Sequence, residues 1–249
     1  MKSARKLAAR VLRKGARIID LTEQTQLVQD EYLTWLSYAN PGMLEEGNQY
    51  LIDYAIRRLS TAAPILEIGS FCGLSTNVIT HFKRVHGMRN ALITCDKWQF
   101  ENVNDRLEIP NSPILFSDYR RFVRDSYIRN IKMFSPDDLP FTIEMTSNEF
   151  FEAWKNGRAC TDILGRSLNL GGLLSFCYID GNHTYECTKR DFLNCDEFLE
   201  IGGFILFDDS TLTQFGVYKL MPEIISGGNY KLIATNPNHL FQKVRPTPD

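Results

Sequence analysis

A doubly wound α/β fold is what this sequence predicts: a mostly parallel sheet of seven strands with helices on both faces, N-terminal helices and a C-terminal antiparallel hairpin. Three observations point there. Short apolar runs recur as PILEIG (64–69), ALITCD (91–96), FTIEMTS (141–147), LLSFCYID (173–180) and FILFDD (204–209). Stretches of helical period lie between them, and strands alternating with helices imply parallel pairing. The chain closes on YKLIAT and HLFQKV, joined by Asn236-Pro237-Asn238, the pattern of an antiparallel hairpin.

The elements follow in order. Lys2, Arg5, Lys6, Arg10, Arg13, Lys14 and Arg17 all precede the first acid, Asp20, while Leu7, Val11, Leu12 and Ile18 recur at roughly helical spacing. This segment reads as a transit-like peptide, a membrane-surface helix, or a helix packed on the body or on a second subunit. The last is favoured, because charge on one helix face is usually a solvated face, and it suggests a homo-oligomer formed through N-terminal helices. A second helical stretch follows, then a turn at Asn40-Pro41-Gly42 and an amphipathic segment through Leu44, Leu51, Tyr54, Ala55 and Leu59. Between the strands, Val78, Ile79, Phe82 and Val85, and later Phe192, Cys195, Phe198 and Leu199, mark crossover helices. One connection, Asp96 to Phe141, is longer than a single crossover needs. Its second half is helical, with Ser117 as the cap, Tyr119, Phe122, Val123, Tyr127, Ile131 and Phe134 on one side, and Arg120, Arg121, Arg124 and Lys132 on the other. Its first half, Asn102 to Leu115, has two prolines and little periodicity, and reads as a lid inserted near 99–116.

Composition bounds the rest. A chain of 249 residues, 43% hydrophobic and 23% charged, can bury one full core. We expect a single domain over 1–249, a helical cap over 1–60 on a core over 61–249. A net charge of -2 provides no global attraction to nucleic acid or anionic lipid, so a small molecule or another protein is the expected partner. The six cysteines contain no C-x-x-C pair and read as small buried thiols of a reducing compartment, neither a disulfide framework nor a zinc site. No apolar run approaches the roughly 20 residues that span a bilayer, and no secretory segment opens the chain. A cytoplasmic protein is expected.

In open α/β sheets ligands bind outside the carboxyl ends of the strands. After the first strand stands E-I-G-S-F-C-G-L-S, Glu67 to Ser75, where Gly69 and Gly73 permit a tight turn and close approach of backbone to a ligand. The G-x-G-x-x-G of dinucleotide enzymes is missing, which disfavours an NAD-dependent dehydrogenase. Asp96 ends the second strand, where an acid can accept both hydroxyl protons of a ribose, unless it is only a solvated turn aspartate. Asp180 ends the fourth run and Asp208-Asp209 the fifth. Neighbouring strands lie about 4.8 Å apart, so the three carboxylates can converge. Such like charges need neutralising, and a hard divalent cation such as Mg²⁺ is the simplest candidate; the alternative is that these acids merely cap the following turns. His183, three residues beyond Asp180, can then accept a proton from a hydroxyl, where a lone histidine would more often be structural.

Glu67, Gly69, Gly73 and Asp96 together resemble the nucleoside-binding half of class I S-adenosylmethionine-dependent methyltransferases, whose Rossmann-like fold also ends in such a hairpin. That resemblance implies that Glu67, Gly69, Ser70, Gly73, Ser75 and Asp180 bind the donor, with Asp96 on the ribose and Trp98, Thr146 and Ser147 flanking the adenine. The block IDGNHTYECTKRDFLNCDEFLEIGGFILFDDS (179–210) resembles the metal-dependent O-methyltransferases related to the macrocin and mycinamicin sugar enzymes, grouped in the methyltransferase 24 family. In that pattern an Asp-Gly-x-His follows strand four, then a helix, a Gly-Gly turn and an acidic pair after strand five. It implies Asp180, Asp208 and Asp209 as metal ligands and His183 as general base. The related catechol branch has a lysine at the place of His183. The resemblance covers about 40–245, with the N-terminal helix and the insert outside it. Its implication is methyl transfer to a hydroxyl of an acceptor with two adjacent oxygens, a sugar or glycosylated natural product, or alternatively a catechol or phenol. Tyr119, the Asn40-Pro41-Gly42 turn and the insert would shape the acceptor pocket. A non-catalytic nucleoside-binding protein on the same fold is the rival from another class.

Overall fold

A computed structural model describes residues 25–100 and 103–246. The basic N-terminal segment therefore lies outside the described residues, as do positions 101 and 102 at the start of the insert. Two helices precede the sheet, α1 (Glu31–Ala39) and α2 (Glu46–Ile56). Asp30 caps α1, its side chain accepting the backbone N–H groups of Tyr32 and Leu33. Strands and helices then alternate: β1 (Ile65–Ile68), α3 (Leu74–Val85), β2 (Leu92–Cys95), α4 (Phe116–Phe134), β3 (Phe141–Ile143) and α5 (Ser147–Lys155). After a small hairpin, β4 (Ala159–Thr161) and β5 (Ser167–Asn169), come β6 (Leu174–Ile179), α6 (Tyr185–Phe198), β7 (Leu199–Phe207), α7 (Val217–Gly227), β8 (Tyr230–Thr235) and β9 (His239–Lys243).

The main sheet has seven strands in the order β3-β2-β1-β6-β7-β9-β8. The first five pair in parallel, while β9 enters antiparallel between β7 and β8. This is the doubly wound sheet with a terminal antiparallel pair that the apolar runs predict. Alternation along each strand divides the core between two faces. Ile65, Leu92, Phe176 and Leu206 face α1, α2 and α3, whose Leu36, Leu51, Ile52 and Phe82 are buried there. Leu66, Ile93, Cys177 and Ile205 face the other way, against Phe150 and Trp154 of α5 and Leu220 of α7. A smaller cluster of Cys72, Trp98, Val123, Tyr127 and Ile131 fixes α4 beneath the loop after β1.

Three local readings are corrected, and one hairpin is added to them. The first turn of α4 begins at Phe116 with Leu115 as its cap, and Ser117 sits inside that turn, its backbone N–H bound to Asp105 O at 3.1 Å, so it caps nothing. Gly202 and Gly203, expected as a turn, lie within β7, which starts at Leu199 directly after α6. Gly203 packs so closely that an added Cβ would stand 2.9 Å from Ser175 O of the neighbouring strand. Asp180 does not cap α6; Thr184 does, accepting from Cys187 N. The β4–β5 hairpin was not anticipated, since strands of three residues with one buried position between them carry almost no apolar signal. All six cysteines are free thiols, five of them buried, as their spacing indicates. Among the described residues no helix is long and apolar enough to cross a membrane.

Candidate active site

Parallel pairing brings the C-terminal ends of β2, β1, β6 and β7 to one edge. Backbone bonds between neighbours hold the tips level: Gly69 N to Cys95 O (3.0 Å), Asp180 N to Ile68 O (2.8 Å) and Asp208 N to Ile179 O (3.0 Å). Gly69 adopts φ +83°, and a Cβ on it would stand 1.9 Å from Asp180 O. The close approach that Gly69 permits is therefore that of the adjacent strand's backbone. Gly73, at φ 88°, is the left-handed residue that opens α3. Phe71 (φ 43°), Trp98 (φ 50°) and Asp209 (φ 52°) also lie in the left-handed region. Bulky residues held there concentrate at functional loops.

Glu67 is fully buried on β1 and accepts both hydroxyls of the first turn of α3, Ser75 Oγ and Thr76 Oγ1, each at 2.5 Å. Burial pushes its carboxyl up to about 7 against these two bonds. Glu67 and Ser75 thus engage each other under the loop. Asp96 reaches into the same loop: its Oδ2 accepts Ser70 N at 2.7 Å and Phe71 N at 3.1 Å, and its Oδ1 accepts Trp98 N at 2.6 Å. Trp98 is buried rather than laid open as a stacking face, its indole N–H donating to Phe71 O at 2.9 Å and its ring 5.4 Å from that of Tyr127. Thr146 caps α5 in a reciprocal capping box with Glu149, and Ser147 is the first helical residue.

At β6 and β7 the tips carry the acids. His183 Nε2 stands 3.6 Å from Asp180 Oδ1 and 3.4 Å from Asp209 Oδ2, with its ring 4.9 Å from that of Phe215. Asp208 Oδ1 accepts Asn48 Nδ2 at 2.5 Å and Asn238 Nδ2 at 2.6 Å. Burial, reinforced by the charges of Asp180 and Asp209, pushes Asp208 well above the usual carboxylate range. Burial does the same to Asp180, opposed by a bond with Asp208 and reinforced by Glu67 and Asp209. Asp209 is raised by burial, and His183 acts the other way. The sheet thus brings together the four residues that the sequence singles out around Asp180. As they stand, no group of three or more His, Cys, Asp or Glu among the described residues is arranged to hold a metal ion. The chemistry of the donor set nevertheless fits a hard cation: three carboxylates stand on two adjacent tips, Asp208 buried and Asp180 and Asp209 half-buried, and the charges of the latter two oppose that of Asp208.

Residues 66–210 match the family described as a methyltransferase domain, more than half of the 249-residue chain. The chain belongs to this family. This methyltransferase is also similar in fold to the O-methyltransferase TomG from Streptomyces achromogenes, involved in tomaymycin synthesis and solved with S-adenosylmethionine; identity is 13%, 88% of this chain and 92% of that one are covered, and the TM-score is 0.54. An O-methyltransferase from Bacillus cereus, in complex with S-adenosylhomocysteine, aligns at 12% identity over 92% of this chain and 97% of its own, with a TM-score of 0.55. CalS11, a TDP-rhamnose 3'-O-methyltransferase of calicheamicin biosynthesis, aligns at 14% identity over 92% of each chain, with a TM-score of 0.51. No curated protein matches the sequence.

Sequence reasoning missed the asparagines of the methyltransferase. Asn48 falls four residues after Leu44 and three before Leu51, on the apolar face of α2, so a polar residue at a buried position was a signal that could have been read. Asn238 stands in a turn, where asparagine is unremarkable. Asn40 is buried as well, its Nδ2 donating to Cys72 O at 3.1 Å and its Oδ1 accepting from Asn77 Nδ2 at 2.7 Å. The turn at Asn40-Pro41-Gly42 therefore rests on the glycine loop.

Proposed function

We propose that the protein moves the methyl group of S-adenosylmethionine to a hydroxyl of a small molecule, with His183 as the general base and a hard divalent cation assisting. The observation that carries this is the placing of His183 Nε2 between Asp180 and Asp209, on the strand edge that also bears the Gly69–Gly73 loop. Membership in a methyltransferase family and the donor and spent donor bound in its structural neighbours support the choice of donor.

In this reading the loop from Gly69 to Gly73 and Asp96 receive the nucleoside. Asp96 Oδ1 takes only the Trp98 N–H of the bonds described above, and a carboxylate oxygen has two lone pairs, so one site remains for a ribose hydroxyl. Thr146 and Ser147 bound the adenine side, while Trp98 and Glu67 brace the loop from behind and below. Asp180, Asp208 and Asp209 would hold Mg²⁺ or a similar cation, which when bound draws together adjacent acceptor oxygens and lowers the pKa of the reacting hydroxyl. His183 Nε2 takes the hydroxyl proton, and the imidazolium that results is flanked by two carboxylates. The acceptor oxygen forms its bond to the methyl carbon as the carbon–sulfur bond breaks, the electron pair stays on sulfur, and S-adenosylhomocysteine leaves. Positioning the oxygen about 3 Å from the methyl carbon in line with sulfur supplies much of the rate, on the order of several kcal/mol. The acceptor fits a vicinal diol of a sugar or glycosylated natural product, a choice that the histidine at 183 and the likeness to CalS11 support. The insert before α4, the Asn40-Pro41-Gly42 turn and Tyr119 bound the acceptor side.

The test is mass spectrometry of candidate glycosides and catechols incubated with S-adenosylmethionine and Mg²⁺. Gain of one methyl group, lost in EDTA and restored by Mg²⁺, is expected. Methylation that continues unchanged in EDTA removes the cation from the mechanism. If S-adenosylhomocysteine does not raise the melting temperature, the donor assignment fails.

A further inference from the structure

Asp208 is held by groups from the two ends of the described chain. Asn48 Nδ2, on α2, and Asn238 Nδ2, in the turn between β8 and β9, donate to the same oxygen, Oδ1, at 2.5 and 2.6 Å. The two amides also meet each other, Asn238 Nδ2 lying 3.1 Å from Asn48 Oδ1. Asn238 Oδ1 in turn accepts Ser210 N at 2.9 Å, so its donor end can point only at Asp208 and Asn48. All three side chains are buried, Asn48 at 0%, Asn238 at 2% and Asp208 at 6% exposure. The frame behind them is tight. A Cβ on Gly47 would stand 2.2 Å from Asn236 O, and Asn236 Nδ2 donates to Gly47 O at 3.1 Å, so α2 and the hairpin turn touch backbone to backbone. Neither asparagine falls within residues 66–210, the part of the chain that matches the methyltransferase family.

Two neutral donors on one carboxylate oxygen fix the rotation of the group. A ligating carboxylate held in this way presents its other oxygen in a set direction, and such supporting bonds tune the affinity of the ion. Resting on the cation reading given under Proposed function, we propose that Asn48 and Asn238 are positioning residues that aim Asp208 at the cation. The N-terminal helices and the terminal hairpin then complete a site whose ligands come from the sheet.

The test compares Mn²⁺ affinity, read by electron paramagnetic resonance, with S-adenosylhomocysteine affinity, read by calorimetry, in the wild type, Asn48→Leu and Asn238→Leu. Mn²⁺ affinity is expected to fall about 10- to 100-fold in each variant, with S-adenosylhomocysteine affinity unchanged, a split that general loosening of the fold would not produce. Variants that bind both ligands like the wild type overturn the proposal. A wild type that binds S-adenosylhomocysteine but no Mn²⁺ overturns the cation reading itself, and this inference with it. Should both variants fail to fold, a Mg²⁺ titration of the ¹⁵N-labelled wild type decides: the side-chain amide signals of Asn48 and Asn238 must shift with saturation, and amides that stay still while backbone signals at 208–210 move overturn the proposal.

Discussion

His183 and Glu67 show how differently two ionisable side chains at one sheet edge can be used. His183 lies between Asp209 and Asp180 at 3.4 and 3.6 Å, where it can take a proton, and it stands after β6, outside the Gly69–Gly73 loop. His183→Ala is therefore expected to keep S-adenosylhomocysteine binding while turnover falls about 10²-fold or more; single-turnover rates beside calorimetric affinities check this, and an unchanged rate removes His183 as the base. Glu67 is inside the protein, with burial raising its carboxyl to about 7 from 4.5. Its folded-state pKa lies above the unfolded one, so its contribution to stability is fully present below about 4.5 and is lost as pH rises to about 7. A shift of that size is worth about 3 kcal/mol. The unfolding free energy of the wild type minus that of Glu67→Gln should fall by about this amount over that window in urea titrations; a difference constant with pH would show that Glu67 is ionised throughout.

At the scale of elements, the loop from β1 to α3 and the termini of α4 and α6 illustrate what sequence can and cannot say. The glycines at 69 and 73 were legible because residues of positive φ in a strand-to-helix loop are glycine by preference. What Gly69 excludes was not legible, since the obstructing atom is Asp180 O on the neighbouring strand. Gly69→Ala should cost about 3 kcal/mol or more, from left-handed strain plus the clash, and should remove the thermal shift with S-adenosylhomocysteine. Gly87 has φ +65° with nothing within 4 Å of an added Cβ, so Gly87→Ala should cost only about 1–2 kcal/mol. Equal losses at the two positions, measured by denaturant unfolding, would show that backbone strain alone accounts for Gly69. Ser117 shows the opposite error: serine is a good cap by type, yet the backbone bond of Phe116 N to Leu107 O at 2.9 Å and the bridge of Glu108 with Leu115 move the cap to Leu115, two residues earlier.

Across the whole molecule, α1 and α2 bury Leu33, Leu36, Leu51 and Ile52 on the sheet face formed by Ile65, Leu92, Phe176 and Leu206. Leu51→Ala removes a fully buried side chain from that layer, and a loss of about 2–5 kcal/mol is expected. If the helical cap and the sheet fold as one unit, far-ultraviolet dichroism and tryptophan fluorescence will report one shared transition; two separated transitions would make the cap a unit of its own. The sequence by itself determined the fold class, the strand tips and the acids that stand on them, because side-chain period and turn chemistry act between residues a few positions apart. Tertiary structure alone decided the partners of those acids: Asn48 meets Asp208 across 160 residues of chain, and Asp96 meets the backbone of Ser70 and Phe71 across 26 and 25. Such pairings depend on strand order and on how closely two backbones pack, and no local spacing encodes either.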